Sequence, residues 1–67
     1  MTPTKFRDIR KALGLTQAQL AEVLGYGHAV RVAEFEGIAG KHPVPPLLDR
    51  LMRAYEAGYR PRNWPKV

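Results

Sequence analysis

Apolar residues recur at helical spacing in separate stretches of the chain. Phe6, Ile9 and Leu13 share one face, with Lys5, Arg7, Asp8 and Lys11 on the other. Thr2 before Pro3 reads as an N-cap followed by proline at the first helical position, and Gly14 as a left-handed stop. This predicts a first helix over 3–13. Thr16 with Gln19 three residues later is a capping box, and Leu20, Ala21 and Leu24 form a stripe with Val23 beside it. Gly25 closes this second helix, predicted over 17–24.

A tight turn, Gly25-Tyr26-Gly27-His28, separates it from a third helix predicted over 29–36. There Val32 and Phe35 share the inward face. Val30, Ala33 and Glu34 point away from it, and Ala29 and Arg31 flank it. The β-branched and aromatic residues would also suit a strand, but the short length and the stop at Gly37 favour a helix. A loop rich in glycine and proline follows, carrying Lys41 and His42. A fourth helix is predicted over 46–57, with Leu47, Leu48, Leu51, Met52 and Tyr55 on its apolar face and Gly58 at its end. The tail, 58–67, contains prolines that block a helix, yet Tyr59, Trp64 and Val67 are apolar. The tail is therefore expected to pack on the domain or to meet a partner. The fold class expected is all-α: a single small domain over 1–67, with four short helices and an irregular tail.

Composition narrows the chemistry. The chain has 67 residues, of which 45% are hydrophobic, enough for one core and no second. A chain this short is close to the limit for folding unaided, which points to tight helix packing, a dimer, or both. It has neither cysteine nor serine, so thiol nucleophiles, serine triads, disulfides and thiolate metal sites are excluded. Its two histidines, His28 and His42, and its scattered carboxylates match no metalloprotease, EF-hand or P-loop spacing. An enzyme, a metal site and a cofactor are not expected. Eleven Lys and Arg against 6 Asp and Glu give a net charge of +5, which attracts polyanions, nucleic acid first among them. The polar start of the chain and the lack of a long apolar run predict neither a signal peptide nor a membrane span, so a cytoplasmic location is the default.

The run Gly14-Leu15-Thr16-Gln17, then Leu20-Ala21, then Leu24-Gly25, a turn, and a helix ending in Phe35-Glu36 is similar to the helix-turn-helix of the Cro/C1-type (XRE-like) repressor family. The resemblance covers about residues 5–57, and the tail is similar, more weakly, to phage and mobile-element members. The stretch from Gly25 to Phe35-Glu36 is one residue longer than the family usually has, which implies an insertion around Tyr26–His28.

This resemblance implies a lambda-repressor-like bundle whose third helix enters the major groove of duplex DNA. It implies that Thr16 and Gln17 lie at the phosphate or sugar, at the start of the second helix. Arg31 is a candidate for a guanine edge or a phosphate, with pairing to Glu34 or Glu36 as the alternative. Ala29, Val30 and Ala33 form an apolar outer surface, and Ala29 and Val30 suit thymine methyl groups. Glu34 could accept from cytosine N4 or repel phosphate. His28 is a cap or a DNA ligand, and Lys41 and His42 are candidates for phosphate contact. The resemblance further implies a structural ion pair, Arg10 to Glu36, beneath the recognition helix.

The expected partner is a palindromic operator read by a homodimer, with recognition helices about 34 Å apart. Such a dimer would most simply use the fourth helix and the tail, through Leu48, Met52, Tyr55, Tyr59 and Trp64. No ligand-sensing domain fits, so no small-molecule ligand is expected. Autorepression of an operon, of phage or anti-CRISPR-associated type, is the role expected. An antitoxin-type repressor and a helical protein-docking module that has lost DNA binding are the alternatives. RNA recognition is disfavoured because no aromatic-bearing sheet is expected.

Overall fold

Thr2 opens the first helix with its side chain. In the computed structural model, which describes residues 1–37 and 43–65, Thr2 Oγ1 accepts from the Lys5 backbone N–H at 3.1 Å, and Pro3 supplies a preset φ at the helix start. α1 runs Pro3–Ala12, α2 Gln17–Leu24, α3 Ala29–Phe35 and α4 Pro46–Glu56. α1, α3 and α4 each end one residue before the expected limit. Leu13, Glu36 and Ala57 are the half-in caps that follow the last fully helical residue.

The capping box of α2 is complete. Thr16 Oγ1 accepts from the Gln19 N–H at 3.1 Å, and Gln19 Oε1 accepts from the Thr16 N–H at 2.9 Å. Its C-terminus is a Schellman turn: the Tyr26 N–H donates to the Ala21 carbonyl at 2.9 Å and the Gly25 N–H to the Glu22 carbonyl at 3.1 Å. The same paired bonds end α1 and α4.

The core is built from all four helices. Phe6 and Ile9 of α1, Leu20, Ala21 and Val23 of α2, Val32 and Phe35 of α3, and Leu48, Met52 and Tyr55 of α4 are buried together with Leu15. The Phe6 and Phe35 rings lie 5.6 Å apart and tilted, tying α1 to α3. α2 packs chiefly on α3, and α1 on α4.

Three residues depart from the expected faces. Val23 is buried and Leu24 half-buried, the reverse of the order expected for α2. Leu47 is 78% exposed, because the neighbours of α4 cover only the narrower arc of Leu48, Met52 and Tyr55.

Leu48, Met52 and Tyr55 were expected at a dimer contact. The protomer's own core uses these side chains, which are 7%, 0% and 2% exposed, so they cannot anchor a second copy. Burial, and then the nearby Tyr59, push the Tyr55 phenol above its ordinary value.

The start of α4 is tied to the start of the chain. Asp49 accepts from Arg53 Nε at 2.6 Å and from the Met1 ammonium at 3.0 Å. The hydrogen bond from Arg53, and then that from the ammonium, hold its carboxyl below the ordinary value.

The tail packs as a strap. Arg60 Nη1 donates to the Tyr55 and Tyr59 carbonyls at 2.7 and 2.9 Å, and its guanidinium lies 4.4 Å from the centre of the Trp64 ring. Trp64 meets Tyr55 edge-on at 5.2 Å, and Tyr59 stacks on Tyr55 at 6.0 Å. Asn63 Nδ2 reaches the Val23 and Glu22 carbonyls, at 3.1 and 3.4 Å, in the last turn of α2.

Candidate nucleic-acid interface

The orientation of α3 relative to α2 depends on a four-residue turn, Gly25 to His28. Gly25 has φ 84° and Gly27 φ 77°, both left-handed, and any other residue there would be strained by its Cβ. The two left-handed glycines let the chain reverse within four residues between α2 and α3. Between them, Tyr26 lays its ring 5.8 Å from Phe35, pinning the turn to the core side of α3. His28 takes the N-cap position of α3 without a side-chain cap bond, and it is exposed.

The outward face of α3 is small and largely apolar. Val30 is 61% exposed, with Ala29 and Ala33 half-buried beside it. Arg31 Nε lies 3.5 Å from Glu34 Oε1, and its guanidinium carbon stands 6.0 Å from the Tyr26 ring centre. These charges therefore engage each other, with Tyr26 beneath the cation.

Beneath the motif lies a buried polar latch. Arg10 Nε donates to Glu36 Oε2 at 2.6 Å and Arg10 Nη2 to Glu36 Oε1 at 3.3 Å, a two-pronged pair. Arg10 Nη1 donates to the Leu15 carbonyl at 2.9 Å, and Gln17 Nε2 donates to Glu36 Oε1 at 3.1 Å. The side chains of Arg10 and Glu36 are 11% and 0% exposed. One carboxylate thus joins the end of α1, the start of α2 and the end of α3. Among the described residues no buried side-chain nitrogen or oxygen lacks a partner.

Most of the residues singled out in the sequence converge here. Thr16 and Gln17 stand at the start of α2, and Ala29, Val30, Arg31, Ala33 and Glu34 lie on α3. Gln17 has a structural tie to Glu36 that the sequence did not reveal, in addition to any contact it makes outward. Lys41 and His42 lie outside the described residues. Tyr59, more than half exposed, and Trp64, half-buried, belong to the strap, where both pack on Tyr55.

Sequence reasoning missed Tyr26 and Asn63. An aromatic residue between two glycines is a visible signal for the first. The second contact spans 40 residues and leaves no local trace.

The described residues contain no cluster of metal-binding side chains, and no described helix is long and apolar enough to cross a membrane. Residues 4–64 match a family model described as Helix-turn-helix domain, a span that runs from the start of α1 to the strap. No curated protein and no solved structure matches the chain.

Proposed function

The chain belongs to the helix-turn-helix domain family, and on that premise we propose that it is a sequence-specific transcriptional repressor of duplex DNA. The observation that carries this reading is the geometry of α3: its outer face presents the exposed Val30 and Arg31, while its start, its base and its end are each fixed by the turn, the core and the latch. A helix held in this way can enter the major groove, where each base pair displays a distinct edge. The net charge of +5 favours the phosphate backbone.

In this reading Thr16 and Gln17 meet a phosphate at the start of α2, and the latch through Glu36 orients the Gln17 amide for that contact. Arg31, released from Glu34 or bridging from it, reaches a base edge or a phosphate. Glu34 accepts from cytosine N4 or repels phosphate in wrong registers. Ala29, Val30 and Ala33 face the base edges, and His28, Lys41 and His42 supply flanking contacts. The protein acts in the cytoplasm as a homodimer on a palindromic operator, represses its own operon, and is of phage or mobile-element type. Its role is binding rather than catalysis, as is typical of helix-turn-helix domains. With the buried residues of α4 excluded, the dimer contact falls to the outer surfaces of Tyr59 and Trp64.

Selection from a random duplex library, followed by a salt titration on the enriched sequence, tests this reading. A palindromic winner with log affinity falling by about 0.9 per phosphate contact against log salt supports it. The exposure of Val30 favours a second reading, an apolar docking face for another protein. No enrichment and no binding at low salt would leave that reading in place.

A further inference from the structure

Resting on the duplex-DNA reading, we infer that Val30 is a specificity-determining residue of α3 and that it reads the C5 methyl group of a thymine. Val32 and Phe35 turn into the core, and Val30 stands on the opposite side of the helix, 61% exposed. The two ionic side chains of α3, Arg31 and Glu34, face each other at 3.5 Å, and the arginine is further held over Tyr26. Glu36, just beyond, is buried in the latch with Arg10 and Gln17. The centre of the outward face is therefore a branched alkyl group with no hydrogen-bonding atom.

A major-groove edge offers one apolar feature, the methyl group on C5 of thymine. Every other feature there is a donor or an acceptor, which an alkyl side chain would desolvate without replacing its hydrogen bond. Ala29 and Ala33 carry only a Cβ on one flank of Val30, and the paired Arg31 and Glu34 lie on the other. On the alanine flank the helix can approach the groove floor closely, and there Val30 extends beyond both alanines. The recognition is for a 5-methylpyrimidine at one position of the half-site, with the donors and acceptors of neighbouring pairs left to other contacts. Removing a buried methyl forfeits about fourfold in affinity.

The test uses the duplex that the protein itself selects from a random library, remade with each thymine replaced in turn by uracil. Uracil keeps the O4 acceptor and the Watson–Crick pair and removes only the methyl. For the unaltered protein, uracil at one position of the half-site is expected to weaken binding about fourfold. V30A is expected to bind the thymine duplex more weakly by at least that factor, because two methyl groups are removed, and to bind the thymine and uracil duplexes equally at that position. Thermal unfolding of V30A should match that of the unaltered protein, because the side chain is outside the core. The inference is overturned if no uracil substitution weakens binding, or if V30A keeps the sensitivity at the same position. If the library yields no enriched duplex, the DNA reading itself falls and takes this inference with it.

Discussion

Replacing Glu36 with alanine removes the centre of the latch and nothing else from the core. The Arg10 guanidinium would then be nine-tenths buried with only the Leu15 carbonyl, 2.9 Å away, as a partner. The Gln17 amide would lose its acceptor at 3.1 Å. Breaking one side of a buried ion pair costs about 3–5 kcal/mol, because the remaining charge is left uncompensated. A domain of this length has a total stability of about 3–10 kcal/mol, so E36A should lie at the edge of unfolding. E36Q keeps an acceptor for Arg10 and should fall between E36A and the native chain. The pair replaced by alkyl groups of similar volume, R10M with E36L, should be more stable than E36A, because the stranded charge is gone and only the Leu15 carbonyl and the Gln17 amide lose partners. Urea unfolding followed by far-ultraviolet circular dichroism measures all three, provided that the slope with denaturant is unchanged. A cost for E36A below about 1 kcal/mol, the value of an exposed pair, would refute the reasoning.

Other substitutions test other parts of the fold. Met52→Ala should cost about 2–5 kcal/mol and Leu47→Ala less than about 0.5 kcal/mol, and equal urea midpoints would contradict the burial of one and exposure of the other. Asn63→Ala should cost about 0.5–1.5 kcal/mol and speed amide hydrogen exchange in the last turn of α2, and unchanged exchange there would count against the strap. Because the Asp49 carboxyl is held below its ordinary 3.8 when folded, the unfolded chain takes up the proton more readily. Its contribution is present above that value and is lost as pH falls from it through the lower folded value. Asp49→Asn should therefore flatten the acid limb of stability against pH in that window, and an unaltered limb would refute the tie to Arg53 and the chain start.

The starts and stops of the helices were legible because they are local. Thr2 with Pro3, the box of Thr16 and Gln19, and Gly25 act on neighbours within a turn, so the sequence displays them directly. Faces were legible only in part. Leu47 shares the apolar sector of α4 in sequence, but how wide a sector is covered depends on the elements around it. Val23 and Leu24 changed places for the same reason. Placing Leu48, Met52 and Tyr55 at a dimer contact treated one apolar face as serving two surfaces, and the core of the protomer takes these three side chains. The pairing of Arg10 with Glu36 was suggested by family resemblance, since a contact across 26 residues has no periodicity to betray it. The tie from Gln17 to the same carboxylate had no signal at all.

The clasp of Asn63 on α2 carries a consequence for the order in which the molecule assembles. α2 and α3 are joined by a short turn and pack on each other, so their docking closes a small loop and is fast. The clasp spans 40 residues and is mounted on the aromatic cluster of Tyr55, Tyr59 and Trp64, so it closes only after α4 has found its place. Opening under native conditions is expected to run in the reverse order, with the strap released before the helix pair separates. The α2–α3 pair is thus expected to form among the earliest parts of the protein, and the end of α2 to be fixed among the last.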